Sequence, residues 1–221
     1  MKAVIFTGPS LSHEEARKIF AQAEYRPPIK RGDAIKALKE GFKVLGIIDG
    51  VFHQEVAISP REILEVIRER TIVVGGSSIG ALRASELHDF GMIGVGDIFR
   101  MFKNGELESD DEVAVVVNPE TFEAISEPLV NIRATLSALA SKGLIGKELK
   151  VELIKIAKDL HYSMRNYEIV VLKAIEKSVI DEKEAKKLIL LLENNKINLK
   201  KLDAIKVVEK VREICLTAEK L

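Results

Sequence analysis

The sequence predicts an α/β protein: a mostly parallel sheet wrapped by helices, followed by an all-helical C-terminal region. Three observations carry that reading. Short β-branched runs at 2–6, 44–48, 72–74 and 112–117 alternate with helical segments up to about residue 125. The first three runs end in small, turn-forming residues. Beyond Pro128 only helical periodicity remains, so the expected division is a core at 1–127 and a helical region at 128–221.

Each element has a local cause. Lys2-Ala3-Val4-Ile5-Phe6 reads as a buried strand closed by Thr7-Gly8-Pro9-Ser10. Ser12 with Glu15 forms a capping-box pattern, which opens a helix to about Ala23. Pro27-Pro28 forbids helix, and Asp33 is placed to cap the next one, from Ala34 to Glu40, which Gly41 stops. Val44 to Ile48 is a second strand, ended by Asp49-Gly50. Ser59-Pro60-Arg61-Glu62 starts a helix, with Ser at the cap and Pro at the first position. After Pro128, Leu149, Leu153, Ile156 and Leu160 recur at helical spacing, as do Ala204, Val208, Val211 and Cys215. Asp181 with Glu184 caps a further helix that carries the apolar run from Leu188 to Leu192.

Composition excludes several classes. The 34 basic and 34 acidic residues cancel, so nucleic acid is not the default partner. One cysteine allows neither an internal disulfide nor a Cys-based zinc cluster, and no metal or cofactor is expected. The absence of a signal peptide pattern and of a bilayer-length apolar run predicts a soluble cytoplasmic protein with no membrane partner.

The chemistry gathers at Thr71-Ile72-Val73-Val74-Gly75-Gly76-Ser77-Ser78-Ile79-Gly80, a strand, a turn and a helix start. Gly76-Ser77-Ser78-Ile79-Gly80 fits G-x-S-x-G, the pattern of a nucleophile elbow centred on Ser78. The glycines permit a sharp turn, with φ above zero if needed, and leave room for a substrate carbonyl. The Ile79 amide would face an oxyanion, with Gly8 or Gly50 as further donors. The same pattern also describes a Gly/Ser turn that only lets the helix pack closely. A serine nucleophile needs a base. Of the histidines only His53 lies near a strand end, where it reads equally as a surface residue. Lys30 beside Arg31 is the other option, if partial burial and the cationic neighbour make it neutral. A phosphate-binding module is a weaker alternative, since neither a P-loop ending nor G-x-G-x-x-G is present.

Six motifs in order then resemble one family. They are Ile5-Phe6-Thr7-Gly8-Pro9-Ser10; Arg26-Pro27-Pro28 with Arg31-Gly32-Asp33; Ile48-Asp49-Gly50-Val51-Phe52; Gly76-Ser77-Ser78-Ile79-Gly80-Ala81-Leu82-Arg83-Ala84; Gly91-Met92-Ile93-Gly94-Val95-Gly96; and Asp110-Asp111-Glu112-Val113-Ala114-Val115. Over roughly the first 135 residues the chain resembles the TfuA family, partners of YcaO enzymes that exchange a backbone amide oxygen for sulfur. The resemblance implies a Ser–Lys hydrolase that releases sulfide from the C-terminal thiocarboxylate of a ubiquitin-like sulfur carrier. It carries the serine onto Ser78, with the adjacent Ser77 as the alternative nucleophile, and pairs it with Lys30; Asp49, His53 and Arg83 would support them. Gly76 and Ile79 stand where the family motif has Ala and Met. The implied target in archaea is methyl-coenzyme M reductase, in keeping with a Lys-, Glu- and Ile-rich chain that lacks Trp. The alternative is a non-catalytic adaptor or activator of YcaO.

Overall fold

A computed structural model describes residues 1–51, 56–118, 120–121 and 123–218 of the chain. It divides into two compact units, Met1–Asp110 with Lys200–Leu221, and Asp111–Leu199. The expected single boundary at 127–128 is thus replaced by two, for a reason that lies in the last helix.

The first unit holds a five-stranded sheet, parallel throughout. Its strands are β1 (Ala3–Phe6), β2 (Glu24–Arg26), β3 (Val44–Ile47), β4 (Ile72–Gly75) and β5 (Ile93–Gly94), in the order β2-β1-β3-β4-β5. Three expected strands are present as β1, β3 and β4. Each is an almost wholly apolar run, as strands covered on both faces must be. The edge strands β2 and β5 are too short and too polar, or too glycine-rich, to declare themselves. The strand expected at 112–117 does not form. Asp110–Glu112 is a 3₁₀ turn, and Val117 makes a single antiparallel bridge to Ala124. That run opens the second unit, where Val113 is buried and Glu112 serves an ion pair.

Helices cover both faces. Val4, Phe6, Leu45, Ile47 and Val73 pack on α2 (Asp33–Lys39), α3 (Pro60–Arg68) and α4 (Ile79–Leu87) through Ala34, Ala37, Ile63, Val66 and Ala84. Ala3, Ile5, Val44, Ile48 and Val74 pack on α1 (His13–Ile19) and on α10 (Leu199–Ala218). The face of α10 formed by Ala204, Val207, Val208, Val211 and Cys215 therefore belongs to the core of the sheet. For that reason the last helix cannot be counted with the helical region.

Caps follow the sequence with one exchange. Ser12, Ser59 and Asp181 cap α1, α3 and α9 (Glu182–Asn195) as their patterns predict. Asp33 does not cap α2; its carboxylate accepts from the Lys30 amide. The buried Glu62 caps α2 instead, accepting from the amides of Gly32, Ala34 and Ile35.

The second unit adds α6 (Leu129–Ser141), α7 (Lys147–Asp159) and α8 (Tyr167–Glu176) to α9 around its own apolar core. Arg165, wholly buried, donates to the carbonyls of Ala157, Leu160 and Asp111 and pairs with the Asp111 carboxylate at 2.8 Å. Arg133 pairs with Glu112 through two bonds of 2.7 and 2.9 Å. Among the described residues no helix is long and apolar enough to cross a membrane.

Candidate active site

In a doubly wound sheet of this order, the chain departs in opposite directions from β1 and β3, and a crevice opens beyond their carboxyl ends. Gly8 and Ser10 follow β1, and Asp49 and Gly50 follow β3. Asp49 ties these loops together. Its Oδ2 accepts from the amides of Gly8 at 2.9 Å and Ser10 at 3.0 Å, and its Oδ1 accepts from the Ser10 hydroxyl at 2.6 Å. The Asp49 carbonyl in turn accepts from the Ile29 amide, so the segment after Pro28 runs alongside Gly50. Only a glycine fits at position 50: a Cβ would lie 2.5 Å from Ile79 Cγ2.

The serine motif is a strand–turn–helix, as its pattern predicts. β4 ends at Gly75, the Gly76 amide donates to the Ile47 carbonyl, and α4 starts at Ile79. The left-handed conformation expected of a glycine falls on Ser77, with φ +69°. Gly80 serves a different need, since a Cβ there would lie 1.8 Å from the Ile47 carbonyl oxygen. This contact lets the first turn of α4 seat directly on β3.

The two serines have different duties. The Ser77 hydroxyl donates to the Lys200 carbonyl at 2.8 Å, which ties the turn to α10. Ser78 has φ −116° and ψ −124°, and its hydroxyl does not cap α4. Among the described residues no hydrogen bond engages that hydroxyl. Ser78 is 1% exposed. Of the expected oxyanion donors, Gly8 is unavailable, because its amide is committed to Asp49. The Gly80 amide is likewise committed, to the Ile48 carbonyl. Ile79, at the first position of α4, keeps the orphan amide of a helix N-terminus.

Lys30 is exposed, without the partial burial that its role as a base called for. The fold brings another lysine to the serine turn. Lys200, 3% exposed, lies with Nζ 3.9 Å from Asp49 Oδ1. One signal for it was present in the sequence: Lys200 precedes Ala204, Val208, Val211 and Cys215 at the same helical spacing, on the buried stripe. Arg83 stays away from this chemistry, with Nε on the Ile58 carbonyl and its guanidinium on Glu86. His13 is occupied by the Thr7 and Arg26 carbonyls. His53 lies outside the described residues.

Fold and site together define a doubly wound α/β protein with an unengaged serine at a helix N-terminus and a buried Lys–Asp pair beside its turn. The model for TfuA-like protein matches residues 49–166, more than half of the chain, and the chain belongs to the TfuA-like family. Members of this family are partners of YcaO enzymes. The matched segment begins at Asp49, includes Ser78, and ends one residue after Arg165; Lys30 and Lys200 lie outside it. No curated protein matches the chain.

Proposed function

We propose that this protein is a serine hydrolase that releases sulfide from the C-terminal thiocarboxylate of a ubiquitin-like carrier and supplies it to a YcaO enzyme. One observation carries the reading: the unengaged Ser78 hydroxyl stands at the N-terminus of α4, in a turn whose Ser77 hydroxyl donates to the main-chain carbonyl of the buried Lys200. Ser78 Oγ attacks the thiocarboxylate carbon and the Ile79 amide stabilises the oxyanion. Hydrosulfide leaves, and water clears the acyl-serine. A good leaving group asks little activation of the serine. Lys200 takes the serine proton in this reading in place of the exposed Lys30, since it is buried, its main chain accepts from the Ser77 hydroxyl and its amine lies 3.9 Å from Asp49, at the loop after the neighbouring strand. The low exposure of Ser78 favours a substrate that presents a thin chain end over a folded surface. The receiving YcaO substrate in this reading is methyl-coenzyme M reductase.

The test is sulfide release from a thiocarboxylated carrier. Ser78→Ala and Lys200→Ala should each abolish it, with non-additive losses, while Lys30→Ala keeps it. The near-burial of Ser78 is also what a non-catalytic activator of YcaO would show. Full thioamidation by YcaO with a Ser78→Ala partner and the thiocarboxylated carrier would establish that second reading.

A further inference from the structure

We infer that Lys200 enters the reaction as an ammonium, held by Asp49, and gives its proton to the thiocarboxylate sulfur before it takes one from Ser78. The inference rests on the hydrolase reading above and assigns the lysine its order of events.

The geometry points away from a lysine that begins neutral. Asp49 and Lys200 are both almost fully buried, and a lone charge there is costly unless paired. Two amides and a hydroxyl converge on the Asp49 carboxylate, the pattern of an ionised acceptor. The Lys200 nitrogen, 3.9 Å away, is the cation that balances it. Neighbouring charges on α10 are balanced elsewhere: Lys201 pairs with Glu15, and Asp203 pairs with Lys206 and accepts from the Ile98 amide. A thiocarboxylate is itself an anion. Beside a neutral lysine it would face Asp49 with no cation between them; beside the ammonium, one positive charge serves two negative ones.

The protons then balance with no added reagent. An N–H bond of Lys200 breaks as an S–H bond forms, leaving a neutral thioacid and a neutral amine. The amine accepts the Ser78 proton as the Oγ–C bond forms and the carbonyl oxygen takes up the electron pair. Collapse of that oxyanion breaks the C–S bond, and sulfur departs as hydrosulfide. Lys200 is again an ammonium, and the serine is acylated. The anionic substrate thus generates its own base.

The test compares two forms of a small ubiquitin-like protein ending in Gly-Gly, its C-terminal thiocarboxylate and its neutral methyl thioester, on the full-length chain. Asp49→Asn keeps the side-chain shape and an acceptor for the Gly8 amide but removes the charge. It should lower kcat/KM for the thiocarboxylate by about tenfold or more beyond any change in kcat/KM for the thioester. Equal change on both substrates overturns the inference and leaves the hydrolase reading standing. A wild-type protein inert toward both overturns the hydrolase reading and this inference with it. Should Asp49→Asn fold poorly, binding answers the same question in a Ser78→Ala background. Lys200→Arg should keep the preference for the thiocarboxylate over the thioester, and Lys200→Met should lose it. A Lys200→Met protein that keeps the preference overturns the inference.

Discussion

Ser77 and Lys200 stand 123 positions apart and share one hydrogen bond, from the Ser77 hydroxyl to the Lys200 carbonyl at 2.8 Å. The bond joins the turn after β4 to the first turn of α10, where the chain returns from the second unit to the sheet. The neighbouring hydroxyl of Ser78 makes no cap bond, so the two serines should separate under mutation. Ser77→Ala should cost about 1 kcal/mol of stability by removing one buried bond. Ser78→Ala should leave the thermal midpoint unchanged and end sulfide release. The opposite pattern would make Ser77 the nucleophile.

Gly80→Ala should be the most damaging small substitution in the serine motif. The added methyl would lie 1.8 Å from a main-chain oxygen, which has no rotamer to adopt. We expect a loss at or beyond the upper end of the ~1–3 kcal/mol usual for overpacking, read as a fall in urea midpoint. Gly143→Ala, with open space around its Cβ but φ +68°, should cost only about 1 kcal/mol.

The segment 111–199 should fold by itself. It is contiguous and has its own apolar core, and its buried Arg165 pairs with Asp111 inside the same segment. Circular dichroism of the isolated segment should show a cooperative helical melt. Arg165→Ala should lower its stability by about 3 kcal/mol, because the Ala157, Leu160 and Asp111 carbonyls lose a buried donor. Removing 200–221 should instead unfold the sheet unit, which loses Val207, Val208 and Val211 from one face.

Acid should loosen α10 early. The Lys201 ammonium, with help from the Ser12 hydroxyl, holds the Glu15 carboxyl below its ordinary range. The Lys206 ammonium does the same for Asp97. Both carboxyls bind protons less readily in the fold than in the unfolded chain, so the unfolded state takes up more protons as pH falls. Their stabilisation is complete above the unfolded values near pH 4 and is lost as pH drops through the lowered folded ones. Hydrogen exchange at 200–218 should accelerate in that window ahead of β1 and β3.

Alkali should leave Tyr25 protonated after ordinary tyrosines ionise. Burial pushes its hydroxyl up to about 12, and that hydroxyl donates to the Ala16 and Phe20 carbonyls. Its folded value is raised, so the contribution is full below pH 10 and fades between about 10 and 12. Absorbance at ~295 nm, compared with a Tyr25→Phe protein, should show a late step that the variant lacks.

The sequence by itself determined the elements whose cause is local. Continuous apolar runs specified β1, β3 and β4, because a strand covered on both faces needs no alternation. Ser12, Ser59 and Asp181 marked their helices, since a cap acts within three residues of itself. The glycine-serine turn also announced Ser78 at a helix start. Only the tertiary structure decided what depends on a distant neighbour. Glu24 to Arg26 and Ile93-Gly94 are strands because β1 and β4 offer them free edges, whereas 112–117 is more apolar yet pairs with no strand of the sheet. Glu62 displaced Asp33 as the cap of α2 because α3 lies alongside. The Gly8 amide was committed to Asp49, and the Lys200 carbonyl was brought to the serine turn by a helix that returns to the sheet after 89 intervening residues, 111–199. Spacing along a chain encodes neighbours within a turn or a strand; which buried charge meets which is settled only when the helices close over the sheet.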